Sequence, residues 1–127
     1  MSRVLLVALG GALGSVARYG VGVAAPRVLG IGFPWATLVV NLVGSFLISL
    51  VMHLSLTGAS ISPGARLFLT TGVMGGFTTY STFNYETLAL VGDRLYGVAA
   101  LNVAGTVLGC VVAGVLGHAA GRAMAGG

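Results

Sequence analysis

The sequence predicts an all-α membrane protein of four transmembrane helices. Three observations carry that prediction: little charge, apolar runs of spanning length, and short connections between them. Of 127 residues, 57% are hydrophobic and 6% charged, against roughly 25% charged in an ordinary soluble domain. Such a chain cannot cover itself with polar surface, and it is too short for two domains, so residues 1–127 read as one transmembrane domain. The apolar runs approach the roughly 20 residues that a helix rising 1.5 Å per residue needs to cross about 30 Å of hydrocarbon.

The first span is predicted over residues 4–25, closed by Pro26 and Arg27. The second follows Pro34 and covers 35–56, ending in the polar turn Thr57-Gly58-Ala59-Ser60. Ser62-Pro63-Gly64 opens the third, over 65–91, and Gly92-Asp93-Arg94 ends it. The fourth covers 95–120. Connections this short make consecutive helices antiparallel neighbours in a compact bundle. Although Arg3 precedes the first apolar run, no small-x-small site stands before a polar segment, so the run reads as a retained span rather than a cleaved signal peptide. The single cysteine, Cys110, lies inside the fourth span and offers neither a disulfide nor metal-ligand spacing.

The four spans sort the arginines evenly. Arg3, Arg66 and Arg122 fall on the side of the amino terminus, and Arg18, Arg27 and Arg94 on the other. Orientation follows an excess of Lys and Arg in short cytoplasmic loops, and here there is none. Either a weaker signal fixes one orientation, or the chain inserts both ways and pairs as an antiparallel, dual-topology homodimer. The net charge of +4 belongs to this arginine pattern and requires no nucleic acid.

Glycine is abundant, at 22 residues, and falls into small-xxx-small pairs: Gly10 with Gly14, Gly72 with Gly76, and a strip of Gly105, Gly109, Ala113, Gly117 and Gly121. These indicate close helix packing. Two polar strips carry more information. Thr37, Asn41, Ser45, Ser49 and His53 recur every four residues along the second span, and Asn102, Thr106 and Cys110 do so on the fourth, with Gly114 and His118 continuing the line. Polar side chains at this depth turn to the bundle interior or to a water-filled cavity. Single Ser or Thr residues can instead bond back to their own helix, and one Asn can join two helices, but a strip of membrane length favours a polar pathway. His53 and His118 stand at helix ends, where an interfacial position explains them.

Residues 70–87 hold the densest constellation. Gly75-Gly76 followed by Thr78, Thr79, Ser81 and Thr82 is poor helical material in mid-span, which predicts a third helix broken at the membrane centre. Non-helical backbone survives there only where protein or an aqueous cavity covers it, and its freed carbonyls can bind a cation. Tyr80 and Phe83 share a face beyond the break, where aromatic edges either pack or attract an anion. Glu86 is the only acid within a span, a functional residue by default, with pairing to Arg94 or a hydroxyl hydrogen bond as structural alternatives.

These residues carry a resemblance. Gly10-Gly11-Ala12-Leu13-Gly14 with Arg18-Tyr19, Pro34 with Thr37-Leu38-Val39-Val40-Asn41 and Gly44-Ser45-Phe46, and Thr70-Thr71-Gly72 leading into Gly75-Gly76-Phe77-Thr78-Thr79-Tyr80-Ser81-Thr82-Phe83 make the chain resemble the Fluc/CrcB fluoride channels over essentially its full length. The resemblance implies a fluoride-selective channel exporting fluoride passively through a multi-pass protein of the cell (inner or plasma) membrane. It implies an antiparallel homodimer with two pathways and a central structural sodium ion held by the main-chain carbonyls of Gly75 and Thr78. Asn41 becomes the donor of the second helix, and Tyr80 and Phe83 the aromatic pair that meets fluoride. Tyr80 stands where the family usually has phenylalanine. Asn102, Thr106 and Cys110 match the polar track of the last helix, with Cys110 replacing the usual hydroxyl by a weaker donor. Arg18 falls near the pore vestibule. The strips and the third block add Thr37, Ser45, Ser81, Thr82 and Glu86 to the pathway.

A proton-coupled antiporter like the small multidrug-resistance proteins is the alternative, also four-helix and dual-topology. Those depend on a glutamate in the first helix, and residues 4–25 hold no acid. A purely structural subunit fits poorly with the polar strip, and no nucleophile, base and orienting group recur together as an enzyme would need.

Overall fold

A computed structural model describes residues 2–58 and 61–126, which excludes Ala59 and Ser60 of the predicted polar turn. The described residues form helices and connecting turns, with no strand among them. Helix α1 (Arg3–Leu29) starts at Ser2, whose hydroxyl accepts the Leu5 amide at 3.2 Å. It does not stop before Pro26 as predicted: Pro26 lies inside the helix, which continues to Leu29. Proline lacks the N–H that would bond the carbonyl four residues back, and the Gly22 carbonyl gives up that one partner in the last two turns while the rest of the ladder continues. The chain leaves at Gly30, whose φ of 86° belongs to the left-handed region and whose amide donates to the Pro26 carbonyl.

Helix α2 (Trp35–Leu56) has the predicted bounds. Ser62 caps the next helix by accepting the Ala65 amide at 3.1 Å, and Pro63 occupies its first turn. That helix, α3, comprises Pro63–Leu67, the wider π-helical turns Phe68–Met74, and Gly75–Phe77. Thr78 and Thr79 are extended, with ψ of 159° and 122°. Helix α4 (Tyr80–Gly92) begins when the Thr79 hydroxyl accepts the Thr82 amide at 3.2 Å. Arg94, at φ 61°, turns the chain into α5 (Tyr96–Met124), which runs about one turn beyond the predicted residue 120.

By length and apolar composition, α1, α2 and α5 can each cross a membrane. Their outward faces are apolar: Val16 is 69% exposed, Leu108 66% and Val115 62%. A soluble monomer rarely exposes a continuous apolar surface of this kind. The protein is a multi-pass helical membrane protein. Its interior is partly polar, with Thr37, Asn102 and Thr106 as buried as Val40, Phe83 and Ala99.

Glycines set how closely the helices approach. Gly10 and Gly14 on α1 lie directly on α3: a Cβ at Gly10 would stand 2.9 Å from the Gly72 Cα, and one at Gly14 would fall onto the Val73 carbonyl oxygen. The two small-xxx-small pairs of α1 and α3 therefore interlock backbone to backbone. On the opposite side, α5 lies along α2, with a Cβ at Gly117 falling onto the Phe46 carbonyl and one at Gly109 reaching 2.9 Å from Leu42 Cδ2.

Candidate functional site

The site is organised by the two extended residues between α3 and α4. Threonine competes poorly for helical conformation because of its branched side chain and because its hydroxyl bonds nearby backbone. Thr78 illustrates this, since both its amide and its hydroxyl reach the Met74 carbonyl, at 3.0 and 2.9 Å. Thr79 is then held by another helix. The Asn41 Oδ1 accepts the Thr79 amide at 2.9 Å, and the Asn41 Nδ2 donates to the Thr79 carbonyl at 3.0 Å. One side-chain amide thus satisfies both backbone groups of a residue that has left the helix, which backbone buried in an apolar protein requires.

This clamp redirects donors that a continuous helix would use. In an α-helix the amide of residue i bonds the carbonyl of residue i−4, so the Thr79 amide would serve the Gly75 carbonyl, but it is committed to Asn41. The Thr82 amide, which would serve Thr78, is taken by the Thr79 hydroxyl. The Gly76 carbonyl, likewise released, accepts from the Arg18 Nε at 3.0 Å. Arg18 therefore ties α1 to the end of α3, 58 residues away in sequence.

Two cavities flank the clamp, and Thr79 lines both. The larger, about 730 Å³, collects Arg18, Tyr19, Thr37, Thr82 and Glu86 with Trp35 and Phe33. The smaller, about 410 Å³, collects Asn41, Ser45, Gly75, Thr78, Tyr80, Phe83, Thr106 and Cys110, and no charged residue lines it. The Tyr80 and Phe83 rings meet edge to face, with centroids 5.7 Å apart, Phe83 buried and Tyr80 79% exposed in the single chain. Glu86 accepts from the Thr37 hydroxyl at 2.8 Å, so of the two structural alternatives for this acid it takes the hydroxyl bond. Its second oxygen is buried without a partner among the described residues.

The predicted strips are divided among different tasks. Along α2, Thr37 and Asn41 make the interhelical bonds just given and Ser45 lines the smaller cavity. Further along, Ser49 sits against Gly114 and His53 against Gly121. On α5, Thr106 and Cys110 face the smaller cavity, whereas Asn102 lies apart from both cavities, 1% exposed. Asn102 donates to the Thr87 hydroxyl at 3.0 Å and joins α5 to α4. Ser81 also lies in neither cavity; it is exposed, with its hydroxyl 3.4 Å from that of Thr79.

Sequence reasoning passed over Thr79 as a site residue and missed the Arg18–Gly76 bond. The first was detectable, because threonine is a favoured N-cap residue directly before a helix begins. The second depends on a crossing of two helices that no local pattern encodes. The Thr37–Glu86 bond supports one prediction. Replacing Thr37 by Val leaves Glu86 without its one hydroxyl donor and is expected to lower stability by about 1–3 kcal/mol, while Thr37→Ser preserves it. Thermal unfolding of the detergent-solubilised protein checks this, and equal midpoints for the two variants would contradict it.

The fold and these cavities define a helical, multi-pass membrane protein with an uncharged, largely apolar cavity that carries a few polar groups, beside a larger cavity lined by Arg18 and Glu86. Residues 5–118 match the family described as CrcB-like protein, Camphor Resistance (CrcB). The chain belongs to that family. It is 53% identical over 126 residues to a protein of Thermus thermophilus, covering 99% of this chain and 100% of that one. It is 56% identical over 113 residues to one of an Anaeromyxobacter species, covering 89% and 90%. With a protein of Sorangium cellulosum it shares 43% identity over 127 residues and the full length of both chains. Each of these relatives is named fluoride-specific ion channel FluC.

Proposed function

We infer that the chain is a fluoride-selective channel that lets fluoride leave the cytoplasm passively, without catalysis and without coupling to protons. The observation that carries this reading is the smaller cavity: hydroxyl, amide and thiol groups and two aromatic rings, without a formal charge. Fluoride is small and strongly hydrated, so a conduit must replace its water with donors while holding it loosely enough to leave. The hydroxyls of Ser45 and Tyr80, the second amide N–H of Asn41 and the positive edges of aromatic rings do both. A deep arginine site would bind more tightly and release more slowly. In the larger cavity, Arg18 attracts the anion while its Nε remains bonded to Gly76. Full-length relatives named as fluoride-specific channels support the same reading, and α1 carries no acid of the kind the antiporter alternative needs.

The working unit in this proposal is an antiparallel homodimer in the cell membrane, the inner one where there are two, with α3 and α4 as halves of a single broken span. The even division of arginines between the two sides supports dual topology. The exposure of Tyr80, 79% in one chain, on the wall of the smaller cavity supports pairing with a second copy. A second copy over this face would cover Tyr80 and complete two pathways. A structural sodium ion fits the same region. The Gly75 and Thr78 carbonyls lose their helical donors to the Asn41 side chain and the Thr79 hydroxyl, leaving oxygen lone pairs free. Carbonyl oxygens of unwound backbone suit a sodium ion, which when bound adds positive charge close to the anion's route.

The deciding experiment is flux from liposomes. Protein reconstituted into fluoride-loaded vesicles is expected to release fluoride once a potassium ionophore balances charge, and to release chloride far more slowly from chloride-loaded vesicles. Release that requires a proton gradient, or equal release of chloride, would overturn the channel reading.

A further inference from the structure

Outside both cavities, one pair of side chains carries chemistry that the ion route does not use. We propose that His53 on α2 and His118 on α5 form a two-histidine site for a divalent transition-metal ion of the copper(II) and nickel(II) class. The site lies at the end of the bundle that also holds Arg3, Arg66 and Arg122. The two imidazole rings stand with centroids 4.5 Å apart and planes at 81°. A ring nitrogen lies about 2.0–2.1 Å from a bound metal, so two imidazoles sharing one ion at an angle near 90° have centroids about 4.5 Å apart. Copper(II) and nickel(II) stand high in the affinity order of imidazole sites for divalent ions, and both accept two adjacent nitrogens with water in the remaining positions.

The scaffold brings these rings together before any ion arrives. Helices α2 and α5 pack against each other in one of the two most extensive helix contacts among the described residues, so little freedom remains to be lost when a metal bridges them. Gly121 makes room for one ligand: a Cβ there would stand 3.0 Å from both the Cβ and the Cδ2 of His53. His53 is half-buried and His118 exposed. They lie within one turn of the end of α2 and two turns of the end of α5, where an ion from water can reach them. No group of three or more His, Cys, Asp or Glu side chains gathers among the described residues. Water therefore completes the coordination shell, and the site is open and exchangeable. Simple edge-to-face packing of the two rings would explain the same separation, but it requires no nitrogen to converge and predicts no ion.

Nickel(II) alone, titrated calorimetrically into tag-free protein in detergent, is expected to bind at one ion per chain and to raise the thermal midpoint, since an ion that binds only the folded state stabilises it. Copper(II) loaded at the same ratio should give a paramagnetic resonance spectrum with nitrogen splitting from two imidazoles. His53→Ala and His118→Ala should each weaken nickel binding on the order of 10²-fold, because the second nitrogen binds at a high effective concentration once the first is engaged. The double variant should be little worse than either single one. Gly121→Ala retains both ligands but displaces the His53 ring, and it too should weaken binding. If His53→Ala fails to give a monodisperse protein, His118→Ala at its exposed position carries the test. An absence of nickel binding at millimolar concentration, or binding that survives loss of either histidine, would overturn the proposal.

Discussion

Asn41→Asp is expected to reduce fluoride flux through reconstituted protein on the order of 10³-fold. Aspartate keeps an oxygen for the Thr79 amide at the 2.9 Å position but loses the Nδ2 that donates to the Thr79 carbonyl at 3.0 Å. It also sets a negative charge on the wall of a cavity that otherwise has none. Two like unit charges about 4 Å apart repel by about 4 kcal/mol at an effective dielectric constant near 20, and each 1.4 kcal/mol is about tenfold in rate. Asn41→Ala separates the two effects. It orphans both backbone groups of Thr79 and should lower the thermal midpoint, but it adds no charge and should reduce flux less than aspartate does. Undiminished flux through a monodisperse Asn41→Asp protein would remove this residue from the anion's route.

Gly14→Ala is expected to cost more stability than any single polar substitution in the chain, about 3 kcal/mol or more. The added methyl would fall onto the Val73 carbonyl oxygen and stand 2.8 Å from the Phe77 nitrogen. Both obstacles are backbone of α3, which cannot rotate aside as a side chain would. Relief requires α1 and α3 to separate, and with them the Arg18–Gly76 bond that secures the end of α3. Gly20→Ala, also on α1, provides the comparison. Nothing lies within 4 Å of its added methyl, and alanine improves a helix interior by roughly 0.5–1 kcal/mol over glycine. The measurements are yield, elution profile and thermal midpoint in detergent. Equal midpoints for the two alanine variants would show that α1 and α3 do not meet as described.

The second helix was legible from its ends: Pro34 before Trp35 and a polar turn after Leu56 bracket it, and the structure has those bounds. The end of the first was not. A proline ordinarily marks a boundary, but within the final turns it removes only one bond, and the helix passes through Pro26 to Gly30, the residue that can adopt a positive φ. In the third segment, the run of Gly75 and Gly76 followed by Thr78, Thr79, Ser81 and Thr82 suggested irregular backbone; the extended residues are Thr78 and Thr79 of that run, whereas Gly75 and Gly76 are helical. Gly76 serves close approach instead, since a Cβ there would fall onto the Gly11 carbonyl of α1.

The polar strips show the same division at the level of the site. Spacing of four put Thr37, Asn41 and Ser45 on one face of α2 and Asn102, Thr106 and Cys110 on one face of α5, as helical geometry requires. It could not distribute their tasks. Asn102 bonds Thr87 and is sealed from both cavities, whereas Thr106, one turn later, lines the smaller one. Asn41 meets Thr79, and Thr37 meets Glu86, across separations of 38 and 49 residues.

By itself, then, the sequence determined the membrane setting, the rough limits of the three helices long and apolar enough to cross, and the faces on which polar residues gather. Those properties follow from composition and from neighbours within a few turns, which a linear reading contains. Only the tertiary structure decided which carbonyls lose their donors, which polar residues border a cavity and which merely join helices, and where two histidines meet. Each of these depends on how closely distant backbones approach. That distance is set by glycines on one helix facing particular atoms of another, a relation between partners that no local pattern records.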